Sequence, residues 1–256
     1  MLDLIDRFSG KLADAPGIDG CLDALLEAVQ EIGFSSVIYD FAPVPRSHAG
    51  EMIIPNILRT RNVPESFAEL WSREGYYRID PVQQICLDCS IPFVWSHFVN
   101  DSSILERPLT REHAPVVSYL KDTRLTCGAT VPIHMADGAL ATVTAIRIDS
   151  ERDFGAEARR SLGVLSMLAQ HLHGAVYSRL DRPARRSAAV RLTEREIECL
   201  RWAAEGKTAQ DIAVILDRSL ATVCLHLNNA ARKLDAQNRA QAIARAAHYR
   251  LLGPDF

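Results

Sequence analysis

The stretch FAELWSREGYYRIDP, residues 67–81, sets one carboxylate among rings. Phe67, Trp71, Tyr76 and Tyr77 precede Asp80, and Trp95 follows in PFVWS. A carboxylate in that company has two uses. It can cap the helix that Pro81 opens, because a helix start leaves backbone N–H groups unpaired and proline suits the first helical position. It can also accept a hydrogen bond from something held between the rings. An ionised acceptor there is costly unless satisfied, so an empty site of this kind is expected to be unstable.

Other chemistries lack their residues. The chain has no G-x-S-x-G elbow, no metal-spaced histidine cluster and no Gly-rich phosphate loop. Cys86 and Cys89 form a lone C-x-x-C with no second pair at finger spacing, and read as two thiols on a helix. The six cysteines are scattered, as suits reduced, mostly buried thiols. His171 and His173 are two apart on a helical stretch, so they point to different faces and make no metal pair. No catalytic residue, metal or cofactor is expected, and the chain does not read as an enzyme.

The elements that must position Asp80 alternate between helix and strand. CLDALLEAVQEIG has helical spacing and stops at Gly33, SSVIYDFAP reads as a strand, and PESFAELWSREG as a short helix ending at Gly75. DPVQQICLDCS is the helix capped by Asp80. CGATVPIHM and ALATVTAIRI make a hairpin around Asp137-Gly138. GAEARRSLGVLSMLAQHLHGAVYSRL is a long closing helix. Helices on both faces of a mostly antiparallel sheet predict an α/β/α sandwich, GAF- or PAS-like, of the kind that encloses a small ligand. Pro183, among Arg and Ser residues, breaks the pattern. The expected organisation is a sensor domain over 1–180, a linker over 181–190 and an all-helical domain over 191–256.

The 256 residues, 48% hydrophobic and 24% charged, make an ordinary globular composition. No apolar run nears the roughly 20 residues of a membrane span, and the acidic N-terminus is no secretory signal, so a cytoplasmic protein without a membrane partner is expected. Charge is uneven. From Ala184 onward there are 12 Lys+Arg against 8 Asp+Glu, a balance of +4; the remainder holds 17 against 24, or −7, which together give the net −3. A basic tail on an acidic body suits a polyanion.

That tail opens three helices with cap residues, Thr193 with Glu196 as a capping box, then Thr208, then Ser219. In the third, Val223, Leu227, Ala230 and Leu234 fall on one face. Thr222, Leu225, His226, Asn228, Asn229, Arg232 and Lys233 then face outward, offering polar and cationic groups to a major groove. Arg232, Lys233 and Lys207 suit phosphates, while Asn228 and Leu225 suit base edges. The motifs L-T-x-R-E-x-E-x-L, G-K-T, I-A and T-V-x-x-H-x-x-N-x-x-x-K-L, from Leu192 to Leu234, closely resemble the LuxR-type helix-turn-helix. The resemblance implies double-stranded DNA as partner. It also gives Asn229 a competing role inside the fold.

The first domain lacks the paired acids of a phospho-acceptor receiver. Gly75-Tyr76, Asp80-Pro81, Trp95 and Gly128 instead resemble the autoinducer-binding domain of quorum-sensing regulators, over roughly residues 15–178. In that family the aspartate accepts the amide N–H of an acyl-homoserine lactone. The resemblance also implies Thr144 as a partner for the acyl carbonyl, and Tyr39, Val63, Val82 and Thr130 are candidate wall residues. Two departures stand out. The family expects W-x-x-x-Y before the Asp-Pro, with donors for the lactone and acyl carbonyls; here those positions are Phe67, which has no donor, and Trp71. Loss of the Trp with Trp replacing the Tyr is similar to regulators of plant-associated bacteria that answer plant compounds.

The expectation is a ligand-responsive transcriptional regulator. It would sense a small amide, a lactone or a related compound, and bind a near-palindromic promoter site as a homodimer, with RNA polymerase as a further partner. The long helix would carry the interface through Leu162, Leu165, Leu168 and Ala169. The alternative is a DNA-binding regulator whose first domain is a protein-interaction module without a small ligand.

Overall fold

A computed structural model describes residues 2–97, 109–148 and 154–253. The chain forms two compact units, one of Met1–Pro45 with Ile54–Asp181, the other of Arg46–Ile53 with Arg182–Phe256.

The first unit is built on a five-stranded antiparallel sheet of order β2-β1-β5-β4-β3. The strands are β1 (Ser36–Ala42), β2 (Ile57–Arg61), β3 (Phe93–Ser96), β4 (Cys127–His134) and β5 (Leu140–Arg147). Every residue of β1 is buried because helices cover both faces. Side chains alternate along a strand, so Val37, Tyr39 and Phe41 take one face and Ile38 and Asp40 the other. The first face packs on α7 (Phe154–Arg179), where Phe41 meets His173 and Tyr177, and on α2 (Gly17–Gln30). Helix α1 (Leu2–Asp14), which the sequence pattern did not predict, packs against α2 and α7 and buries Leu4, Ile5, Phe8 and Leu12.

The second face of the sheet is covered by α3 (Ser66–Ser72), α4 (Tyr76–Ile79), α5 (Pro81–Cys86) and α6 (Ala114–Asp122). Gly75, at φ +80°, makes the left-handed step between α3 and α4. Gly128 has a different task. It lies opposite Trp95 in the β3–β4 register, and a Cβ there would stand 2.6 Å from Trp95 Cζ2 and 2.8 Å from the Ala145 carbonyl oxygen. Only glycine lets the indole lie against β4.

The second unit holds α8 (Glu194–Ala204), α9 (Ala209–Ile215), α10 (Leu220–Lys233) and α11 (Arg239–His248). Thr193 and Thr208 both close reciprocal capping boxes, with Glu196 and Asp211, and Ser219 accepts from Thr222 N. Cys199, Ala203, Ile212, Ala213 and Val223 form the core, with Leu227 partly buried against it. Within this unit His48 Nδ1 lies 2.8 Å from Tyr249 Oη, and His248 Nε2 lies 2.9 Å from the Arg46 carbonyl oxygen.

The interface stripe expected on α7 is corrected by packing. Leu165, Leu168 and Ala169 are fully buried within their own unit, and only Leu162 is partly exposed. The 3.6-residue period marks an apolar face without saying what covers it.

Candidate functional site

Asp80 holds two positions at once. As N-cap of α5 its Oδ1 accepts from Val82 N at 2.9 Å, and its Oδ2 accepts from Trp71 Nε1 at 2.9 Å. It is 6% exposed and, among the described residues, has no cationic hydrogen-bond partner. Burial pushes its carboxyl up to about 6, against the pull of the Trp71 and Val82 donors.

Around it lies a cavity lined by Ile38, Leu58, Phe67, Trp71, Asp80, Val82, Gln83, Trp95, Leu120, Thr144 and Ile146. The cavity measures about 20 Å³, room for about one water molecule. A signal larger than that must push wall side chains aside. Phe67 and Trp71 close one side as a stacked pair, with ring centroids 3.8 Å apart and planes 14° from parallel. Tyr119 of α6 and Tyr76 back the Trp71 ring at 5.7 and 5.5 Å. The tilted pairs with Tyr119 and Tyr76 add packing energy beyond the area they bury.

The opposite side is a polar relay across three strands. Trp95 Nε1 donates to Thr130 Oγ1 at 2.9 Å, and Thr130 Oγ1 lies 2.9 Å from Thr144 Oγ1, its neighbour in the β4–β5 register. An indole N–H can only donate, so Thr130 accepts from it. Behind Asp80 sits a second buried acid, Asp40. It accepts from Tyr77 Oη at 3.1 Å, from Gln83 Nε2 at 3.0 Å and from the Thr142 hydroxyl. Burial pushes Asp40 up to about 7, opposed by Thr142, Tyr77 and Gln83.

Of the expected ligand-contact residues, Asp80, Trp71, Phe67, Trp95, Thr144 and Val82 meet at the cavity. Thr130 stands one step back, bridging Trp95 to Thr144. Three others stand elsewhere. Tyr39 is on the far face of the sheet, its Oη 3.1 Å from His173 Nδ1, because strand alternation turns it away from Ile38 and Asp40. Val63 follows β2 in a turn, partly exposed. Tyr76 is half-buried behind Trp71. The sequence reading missed Gln83, Ile38, Leu58, Leu120 and Ile146. A period-2 count through SSVIYDF puts Ile38 and Tyr39 on opposite faces without choosing between them, while a helical step of three from Asp80 finds Gln83.

On α10, Leu225 is 57% exposed and Asn228 and Arg232 are exposed, while Thr222, His226 and Asn229 are half-buried. Arg232 Nη2 donates to Asn229 Oδ1 at 3.2 Å, and Thr222 Oγ1 lies 2.8 Å from Ser219 Oγ. Lys207 is exposed beside the start of α9. Lys233 needs correction as a phosphate contact. Its Nζ donates to both carboxylate oxygens of Glu196, at 2.9 and 2.8 Å, and Glu196 is 3% exposed. Burial would push the Glu196 carboxyl up, but Lys233 and the Thr193 amide outweigh it and hold it below the usual range. The Lys233 ammonium, although 36% exposed, is thus paired with a carboxylate of its own fold. All six cysteines are free thiols, and no cluster that could hold a metal ion occurs among the described residues.

Comparison with known proteins agrees with both halves. Residues 17–176 match the autoinducer binding domain, and residues 190–246 match the luxR family of bacterial regulatory proteins. The chain is 33% identical over 249 residues to the quorum sensing-dependent transcriptional regulator RpaR of Rhodopseudomonas palustris, covering 96% of this chain and 91% of that one. It is 30% identical over 238 residues to the transcriptional activator BjaR1 of Bradyrhizobium diazoefficiens, covering 93% and 91%. Its fold is similar to that of Escherichia coli SdiA, with a TM-score of 0.58 at 20% identity over 98% of this chain and 99% of that one. The chain belongs to the LuxR family of ligand-binding, DNA-binding transcriptional regulators, with an autoinducer-binding domain ahead of a helix-turn-helix.

Proposed function

We propose that the cavity seats a small amide-containing signal whose N–H is accepted by Asp80, and that this occupancy controls DNA reading by α10. The observation that carries the reading is the state of Asp80: a carboxylate 6% exposed, among aromatic rings, hydrogen-bonded by Trp71 and Val82 and by no cation among the described residues. A carboxylate offers about four lone-pair sites. A third donor from a signal would offset part of its desolvation.

The donor inventory favours an amide other than a simple lactone. Phe67 offers none, and the one N–H of Trp71 is turned onto Asp80. A lactone brings two carbonyls that need donors, and Thr144 is the hydroxyl that remains in the wall.

In this reading the protein acts in the cytoplasm as a homodimer on a near-palindromic promoter site, in contact with RNA polymerase. One helix-turn-helix makes too few contacts for useful specificity, and two spaced about 10 bp apart supply it. The exposed side of α7, with Gly163, Met167, Gln170 and Gly174, replaces the buried stripe as the candidate interface. The relatives are regulators, and this chain is read as a regulator rather than a catalyst.

The test is mass spectrometry of what wild-type and Asp80→Asn proteins release on denaturation after purification from cells that make the signal. Wild type should release one amide in a near 1:1 ratio. Asp80→Asn sets a donor against a donor and should lose at least tenfold of it, about 1.4 kcal/mol, while staying folded. Equal amounts from both proteins would overturn the role given to Asp80.

A further inference from the structure

Gln83 lies three residues beyond Asp80 on α5, so the two side chains rise from one face of the helix start, and both line the cavity. Its amide is oriented from behind. Nε2 donates to Asp40 Oδ2 at 3.0 Å and to Thr142 Oγ1 at 3.4 Å. Tyr77 and Thr142 donate to the same carboxylate, so Asp40 in its ionised form takes donors only. Turning the amide over would set Oε1 against a carboxylate oxygen. Gln83 Oε1 therefore faces away from Asp40, and it is buried without a hydrogen-bond partner in a residue only 4% exposed. Buried side-chain acceptors nearly always have a partner. This one belongs to a residue that lines the cavity.

We propose that Gln83 is a specificity residue whose Oε1 accepts a second hydrogen bond from the signal. The compound selected is then a small amide carrying a second donor, a hydroxyl or N–H, within a few bonds of the amide N–H. Side chains three apart on a helix have Cβ atoms about 5–6 Å apart. Two acceptors at that spacing serve neighbouring groups of one molecule rather than its opposite ends. Asp40 is a positioning residue, since it holds the amide with its oxygen outward. The proposal rests on the reading that Asp80 accepts the signal's amide N–H.

Matched amides test it by calorimetry on the full-length protein. The probes are N-hexanoyl- and N-(3-hydroxyhexanoyl)-homoserine lactone, and the same two acyl groups on benzylamine. In whichever series binds, wild type should hold the hydroxylated member at least tenfold tighter. Gln83→Met should shrink that ratio below threefold. Asp40→Asn, which frees the amide to turn, should lower the ratio while sparing affinity for the plain amide. Equal or weaker binding of the hydroxylated member by wild type overturns the proposal and leaves the Asp80 reading standing. An unchanged ratio in Gln83→Met also overturns it, by assigning the second donor to another group. Should Gln83→Met fail to fold, the wild-type ratio decides alone. Failure of all four probes to bind overturns the Asp80 reading, and this proposal with it.

Discussion

Asp80 in the sensing unit and Glu196 in the DNA-reading unit occupy similar places. Each stands at a helix start, accepts a backbone N–H there, and is almost fully buried. They titrate in opposite senses. Glu196 is met by the Lys233 ammonium and is held low, whereas Asp80 is met, among the described residues, by neutral donors and is pushed up to about 6. The same cap chemistry therefore serves two ends. A buried acid with its counter-ion beside it is finished structure, while one without is left able to respond to a new donor. Asp40, pushed up to about 7 by burial, spends its oxygens on Tyr77, Gln83 and Thr142 instead and does not line the cavity.

The largest expected effect breaks the finished pair. Lys233→Met strands Glu196 and should cost about 1–3 kcal/mol of stability, less than a broken buried pair because Lys233 is itself 36% exposed and screened by solvent. Urea unfolding measures it, and Glu196→Gln added to Lys233→Met should recover part. DNA affinity measured on folded protein should keep its salt slope. A lost slope with unchanged stability would instead put Lys233 on phosphate.

Gly128→Ala strikes the neutral wall of the cavity. The added Cβ would stand 2.6 Å from the Trp95 ring, and overpacking of this kind costs about 1–3 kcal/mol. Thermal unfolding should fall accordingly, and the Trp95 to Thr130 hydrogen bond should be lost. An unperturbed Trp95 indole N–H resonance would show that the sheet yields more easily than its packing implies.

The responsive acid should give signal binding a pH dependence. An amide N–H requires the Asp80 anion, which is lost as pH falls through about 6. Affinity should be flat above about pH 7 and fall toward tenfold, about 1.4 kcal/mol, per unit below 6. Binding is the cleaner readout. A folded-state pKa raised above the unfolded value makes Asp40 and Asp80 favour the fold as pH falls from about 7 toward 4. Burial lowers His97 from 6.5 to about 4, so it destabilises the fold as pH falls across that interval, in the opposing sense. Binding with no pH dependence down to 5 would remove the Asp80 anion from the site.

The smallest effects separate the exposed groups of α10 from the committed Lys233. Asn228→Ala should change preference between DNA sites by about 1 kcal/mol. Arg232→Ala should weaken all sites alike and lower the salt slope by about 0.9. Fluorescence anisotropy across a salt series distinguishes them.

By itself the sequence determined what depends on neighbours in the chain. The capping boxes at Thr193 and Thr208, the cap at Asp80, the turn at Gly138 and the helical period of α10 are all set by contacts within about four residues. The family motifs did the same for both domains, because their spacings are local. Tertiary structure decided whatever depended on what lies opposite. Alternation along β1 could not say which face met the cavity, so Tyr39 was misplaced and Ile38 missed. The apolar period of α7 could not tell a sheet-facing stripe from an interface. Lys233 and Glu196 are 37 residues apart, and Gln83 and Asp40 are 43 apart. A charge free for phosphate and a charge already paired are the same letter in a sequence. Only the fold supplies the partner that tells them apart.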